Sequence, residues 1–324
     1  LWESGVDQGA QTDFAFLMCG SIARGESSTY SDIDAVMVLD DGASRNRYEN
    51  VMIKMDELIF RSGLKDTGFR FCQGGLSPLD SINNPALLGT SDYIIQMIND
   101  QLATGGDGAV HLLGALHTKL IFGDRGLALR YQTACKQRID MNTARTKAQA
   151  TREIGEFAQR MKNGAWKVPT GNEFFIEVKN QLYRPAHMIV HSLAQYYGIK
   201  AVSGREQIRA LQEHQHMSLE VGNMLGQLLD VAGQLRMELQ LGVGKEHEAL
   251  KLRPANNTDP QNDVNDLATQ PVATQSQRQK VRDVLPTLRI LCGLAEAFAA
   301  SKRKRGLVAR ENPFMSDRPG SFSI

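Results

Sequence analysis

The sequence has few of the residues that mark a disulfide-stapled or thiolate-metal protein. Its 324 residues include only four cysteines, which lie far apart and form no CxxC pair. This spacing argues against a disulfide framework and a thiolate zinc site, and it fits a reducing compartment. We therefore expect a cytoplasmic location.

Excess charge and long apolar runs are also lacking. The formal net charge is +1, so no global field draws the protein to nucleic acid or to a membrane surface. No apolar run approaches the roughly 20 residues needed to span a bilayer. Trp2 and Trp166, the two tryptophans, are too isolated to form a base-stacking platform. We expect no membrane partner and disfavour nucleic acid, although an RNA end stays open as an acceptor.

The first residue is Leu1 rather than methionine. We therefore expect the chain to be a fragment, and a targeting or regulatory segment before it is left open. A secreted location, as an effector or toxin, is therefore left open as the alternative to a cytoplasmic one.

What the sequence does have is an α/β opening. Apolar runs predict strands at 14–19, 33–39 and 69–72, with a small polar loop at 20–31. Helical spacing predicts a helix at 45–61, with one apolar face formed by Val51, Met55, Leu58 and Ile59.

After about residue 80 the pattern becomes helical. Helices are predicted at 91–102, 108–122, 143–162, 172–197, 204–217, 218–241 and 276–302. A polar stretch at 254–277 predicts a long surface loop. The prediction is a mixed α+β fold with a small mixed sheet in residues 1–135, followed by an all-helical domain in residues 136–324.

The first strand ends in residues suited to phosphate binding. Gly20 has no side chain and Ser21 has a small hydroxyl, so backbone N–H groups in this loop can approach phosphate oxygens closely. Arg24 can add a charge-assisted fork to the same phosphates.

Two carboxylates begin the second strand. Asp32 and Asp34 are two residues apart, which places both on one side of a strand and Ile33 on the other. Carboxylates this close repel each other unless a cation lies between them. Mg²⁺ prefers one or two carboxylates together with phosphate oxygens and water, so these residues are predicted to hold Mg²⁺ or Mn²⁺ against a nucleoside triphosphate.

The segment GSIARGESSTYSDID at residues 20–34 resembles the glycine-serine and aspartate motif of the polymerase β-like nucleotidyltransferase superfamily. Its spacing is most similar to the branch of the PII-protein uridylyltransferases and the DUF294 putative nucleotidyltransferases. Weaker similarities follow in the same order along the chain: FCQGG, LIFGD as a helix end, EVK with RP, LAQYYGI and SGREQIRAL.

The resemblance implies a metal-dependent enzyme that transfers a nucleoside monophosphate from an NTP and releases pyrophosphate. Gly20 and Ser21 would bind the triphosphate, and Asp32 and Asp34 the metal. Lys179 and Arg184 match basic positions of the family and are predicted to contact phosphate. As in the PII-modifying relatives, a protein is the expected acceptor, with a small molecule or an RNA end left open.

The sequence departs from the family at two places. The superfamily usually carries a third carboxylate on a later strand, but Phe69–Cys72 has none, and Asp66 and Asp80 only flank it. Where relatives often have an acid and an arginine, this chain has His117 and Lys119. These departures motivate a rival reading, a catalytically silent nucleotide-sensing module.

Overall fold

The computed structural model describes residues 12–28, 30–63, 70–71, 88–96, 118–141, 143–160, 174–244, 247, 249–252, 272–303 and 312–315. These residues form a mixed α+β protein with a four-stranded mixed sheet in its first part and a helical region in its second, as the sequence predicts. The chain divides into two compact units, Leu1–Thr143 and Ala144–Ile324. The boundary predicted after residue 135 falls within a helix, Arg125–Met141.

The first unit is built around a sheet with strand order β3-β2-β1-β4. Its strands are β1 (Phe14–Met18), β2 (Ala35–Leu39), β3 (Leu88–Thr90) and β4 (Lys119–Gly123). β1 runs antiparallel to both β2 and β4, whereas β2 and β3 are parallel.

Helices cover both faces of this sheet. On one face, Tyr48 and Met52 of α2 (Arg45–Arg61) pack against Phe16, Met37 and other buried residues of the strands. On the other face, α3 (Arg125–Met141) and the helical residues 91–96 complete a second core cluster. A short helix, α1 (Gly20–Arg24), connects β1 to the loop that precedes β2.

Three sequence-based expectations for this unit are wrong. The predicted loop at 20–31 begins with a helix, α1, because five residues suffice for one turn that Gly25 then ends in the left-handed conformation. Residues 119–123, predicted to be the end of a helix, form strand β4 because they pair with β1. α3 was not predicted at all.

The predicted apolar face of α2 is only partly the buried one, since Met55 and Ile59 of that face do pack against the core. The helix has the predicted bounds, but Val51 and Leu58 are 37% and 65% exposed. The buried residues are Tyr48 and Met52, so the buried stripe of the helix is rotated relative to the predicted one.

The second unit is predominantly helical. Its helices are α4 (Thr143–Arg160), a π-helical turn (Lys179–Tyr183), α5 (Arg184–Tyr197), α6 (Gly204–Glu213), α7 (Leu219–Val243) and α8 (Gln275–Arg303). A two-stranded antiparallel sheet joins β5 (Phe174–Glu177) to β6 (Ala249–Leu252). Residues 174–177 of the predicted helix at 172–197 are therefore a strand, which adds a small sheet to the helical region that the sequence predicts.

The last helix supplies much of the core of this unit. Its apolar residues at spacings of three and four are all buried: Val281, Val284, Leu288, Leu291, Leu294 and Phe298. By length and composition alone, Gln275–Ser301 passes the test for a membrane-crossing helix, which buried core helices also pass. Most of the predicted loop at 254–277 lies outside the described residues.

Candidate active site

The close approach of Gly20 to Asp34 defines the centre of the candidate site. Gly20 follows β1 with φ +59°, a left-handed conformation that glycine adopts without strain. A Cβ atom at this position would lie 2.1 Å from Oδ2 of Asp34. Position 20 therefore has room for glycine alone while the Asp34 carboxylate keeps its place.

Backbone hydrogen bonds hold the two strands together at this point. The Cys19 amide donates to the Asp34 carbonyl over 2.8 Å, one residue beyond the β1–β2 ladder. The first half of the motif, after β1, and its second half, before β2, are adjacent for this reason, although Asp32 comes eleven positions after Ser21 in the sequence.

Asp32 and Asp34 lie on one side of the extended chain, as predicted from their spacing. Ile33 between them is 3% exposed and belongs to the core, whereas both aspartates are half-buried. In the part of the chain that the structure describes, no hydrogen bond or ion pair involves the Asp32 side chain. Its carboxylate thus has its oxygens available to a ligand.

The first amides of α1 are also available. The opening N–H groups of a helix have no acceptor within the helix, and the described residues provide none for Gly20 or Ser21. The Ser21 carbonyl accepts from the Glu26 amide over 2.8 Å, which folds the loop back behind the helix. Backbone donors and carboxylates therefore meet at the same end of β1 and β2.

Arg24 is held by an ion pair at the end of α1. Its Nε donates to Oε2 of Glu26 over 2.9 Å, with both side chains largely buried. This contact uses the Nε–H of the guanidinium group. A phosphate contact, the role predicted for Arg24, would use the terminal nitrogens.

Cys19 is a packing residue behind the site. It is fully buried beside Asp34, and burial, together with the Asp34 carboxylate, raises the pKa of its thiol far above the ordinary range. Burial also raises the pKa of Cys135, in the same cluster, to about 12. Both thiols stay protonated at neutral pH, which suits packing residues rather than nucleophiles.

The third strand of the predicted motif is described at two residues, Arg70 and Phe71. Phe71 forms a parallel bridge with Ile33, so this strand lies beside the start of β2. The family resemblance predicts an acid on this strand, and no sequence pattern marks Arg70 as a site residue. Asp66, Asp80 and His117 lie outside the described residues, and Lys119 is in β4 opposite Met18.

Within the described residues, no group of three or more histidine, cysteine, aspartate or glutamate side chains is placed to hold a metal ion. A metal held by Asp32 and Asp34 alone would take its other ligands from phosphate and water, which is the coordination that Mg²⁺ favours.

The two predicted phosphate contacts of the helical region lie in the second unit. Lys179 begins the π-helical turn and is half-buried, and Arg184 begins α5 and is exposed. π-turns interrupt α-helices with an extra residue and are frequent at functional sites. The roles of Lys179 and Arg184 in phosphate binding stay predictions.

These features define a class of protein. The glycine-serine turn after one strand, together with paired aspartates before its antiparallel neighbour, is the arrangement expected of a nucleotidyltransferase-type superfamily member, and the family match supports that superfamily. The family model described as the SidM N-terminal domain matches residues 4–250, and the chain belongs to that family. No curated protein matches the chain.

Proposed function

We propose that this protein is a Mg²⁺-dependent nucleotidyltransferase that moves a nucleoside monophosphate from an NTP to a hydroxyl group of an acceptor protein. The observation that carries the proposal is the close approach of Gly20 to the Asp34 carboxylate, next to an Asp32 carboxylate that has no partner among the residues that the structure describes. The family match supports nucleotidyltransferase-like chemistry in general. The narrower resemblance to the DUF294 and PII-modifying branch stays a prediction.

The residues present fit a metal-bound triphosphate. Asp32 and Asp34 would hold the ion through hard oxygen ligands. Gly20 and Ser21 would donate backbone N–H groups, and Ser21 its hydroxyl, to phosphate oxygens. When bound, Mg²⁺ would offset the charge that develops on the phosphates as the α-phosphorus is attacked.

The chain's contribution to the reaction is positioning. The acceptor hydroxyl gives its proton to water as its oxygen forms a bond to the α-phosphorus, in line with the bond that breaks, and pyrophosphate leaves with its electron pair. Fixed backbone donors lower the barrier because they are already oriented toward the charge that develops. Arg24, and by family resemblance Lys179 and Arg184, would add positive charge around the phosphates.

A second candidate is the nucleotide-sensing module. Its support is the third strand, where the described residues carry Arg70 and no acid. Such a protein would bind Mg²⁺ and NTP without turnover and act on a partner through its helical region. A secreted nucleotidylating effector shares the chemistry of the leading proposal and differs in location.

Pyrophosphate release separates the two candidates. The protein is incubated with Mg²⁺, each common NTP and a cell lysate as the acceptor source. We expect release by the native protein and none above background by the Asp32→Ala/Asp34→Ala double variant. Calorimetry measures NTP binding in parallel. Binding without release over all acceptors would favour the sensor, and full activity of the double variant would place the site elsewhere.

A further inference from the structure

A basic residue occupies the strand on which the superfamily usually places its third acid. The Ile33 amide donates to the Arg70 carbonyl over 2.7 Å, and Ile33 pairs in parallel with Phe71. Ile33 and Phe71 are each 3% exposed and belong to the same core cluster, so both side chains point to one face of the sheet.

This register fixes the position of Arg70. Paired residues of parallel strands point to the same face, and their neighbours along each strand point to the other. Because Ile33 pairs with Phe71, Arg70 lies directly beside Asp32 and on the face that carries both aspartates. Neighbouring strands are about 4.8 Å apart, so the two residues are next to each other.

Arg70 is half-buried, and the Asp32 side chain has no partner among the described residues, Arg70 included. Neighbouring carboxylate and guanidinium groups that do not bond to each other suit a site in which each one contacts a different part of the same ligand. The carboxylate suits a metal ion, whereas a guanidinium group cannot bind a cation or accept a proton and offers five donors.

We propose that Arg70 binds the triphosphate of the nucleotide from the strand next to Asp32. This inference rests on the proposed function and adds to it a residue that no family motif marks. An NTP brings about four negative charges, and two aspartates with one Mg²⁺ offset none of them. Arg24 has its Nε committed to Glu26, so a second guanidinium on the carboxylate face supplies charge where it is needed.

The test measures binding rather than turnover. Affinities for the four Mg·NTPs and for Mg·tripolyphosphate, which has no base, are measured by calorimetry on the full chain. We expect Arg70→Gln to weaken both by about tenfold to a hundredfold, the effect of losing charge-assisted hydrogen bonds. Arg70→Lys keeps the charge without the fork and should fall between Arg70→Gln and the native protein.

The matched control is Arg130→Gln. Arg130 is in the same unit but pairs with Asp40, at the opposite end of β2 from the site, and is 63% exposed. We expect it to bind both probes as the native protein does. Melting temperatures without ligand show whether each variant folds. A melting temperature of Arg70→Gln well below the native value, and not restored in Arg70→Lys, would indicate a structural role for Arg70 and overturn the proposal.

Charge reversal makes the test sharper. Arg70→Asp should weaken both probes more than Arg70→Gln does, because a carboxylate would then face the phosphates. Equal or tighter binding would mean that this strand serves the metal, which contradicts the proposal. If the native protein binds the probes and Arg70→Gln binds them with an affinity within twofold of the native value, the phosphate role of Arg70 is wrong and the proposed function is unaffected. If the native protein binds neither probe, the proposed function fails as well.

Discussion

Gly20 and Gly25 flank the same short helix and provide a controlled comparison at the scale of single residues. Both have positive φ, +59° and +69°, so alanine at either costs about 1 kcal/mol or more in backbone strain. A Cβ atom at Gly25 would meet nothing within 4 Å, whereas at Gly20 it would overlap the Asp34 carboxylate.

We therefore expect Gly20→Ala to lower nucleotidyl transfer by about a hundredfold, since small displacements of a site group have effects of that size. Gly25→Ala should keep most activity at a similar loss of stability. Transfer rates and urea unfolding of both variants provide the measurement. Equal activity in the two variants would show that the contact between Gly20 and Asp34 is not required.

Glu153 is a buried acid of the second unit. Burial raises its pKa, while hydrogen bonds from Gln149 (3.0 Å) and Ser192 (2.8 Å) partly offset the increase. Because the folded-state pKa is above the ordinary value of about 4.3, the folded state binds more protons in the interval between the two. The contribution of Glu153 to stability therefore falls as pH rises through this interval.

Glu153→Gln removes the titrating group but keeps both hydrogen bonds, since an amide accepts from Gln149 and donates to Ser192. We expect the variant to be more stable than the native protein at neutral pH and to lose this part of the pH dependence. Unfolding free energies measured from pH 4 to 8 test it. A variant that is less stable at pH 7 would show that the carboxylate is stabilising as an ion.

At the scale of elements, α2 shows where sequence patterns mislead. Met52 is fully buried, and Leu58, predicted to face the core, is 65% exposed. Met52→Ala should lower the free energy of unfolding by about 2–5 kcal/mol, because it leaves a cavity in the core. Leu58→Ala should change it by about 0.5 kcal/mol or less. The reverse order in urea unfolding would support the predicted face.

The paired aspartates were predictable, whereas the buried face of α2 was predictable only in part, for physical reasons. Alternation along a strand has a period of two, so Asp32, Ile33 and Asp34 determine their own sides. A helix with apolar residues around much of its circumference presents several candidate faces, and the sheet selects one. Likewise, residues 119–123 became a strand because β1 offered an unpaired edge, which no local pattern records.

At the scale of the molecule, the core of the second unit includes residues that lie beyond the end of the family match. The match ends at residue 250, yet α8 begins at Gln275 and buries Val281, Leu288 and Phe298 in the core of the second unit. The front motif could be read from the sequence because its chemistry is local. The position of Arg70 beside Asp32 depends on strand pairing and required the fold.

The most direct test of the central claim follows the label from the nucleotide to the acceptor. Native protein is incubated with Mg²⁺, a cell lysate and each NTP, labelled at either the α- or the γ-phosphate, and labelled proteins are separated by electrophoresis. We predict that the protein adds α-label, and no γ-label, to the labelling seen with the lysate alone, and that the Asp32→Ala/Asp34→Ala variant adds neither. Added γ-label, or equal added α-label with the double variant, would contradict nucleotidyl transfer at this site.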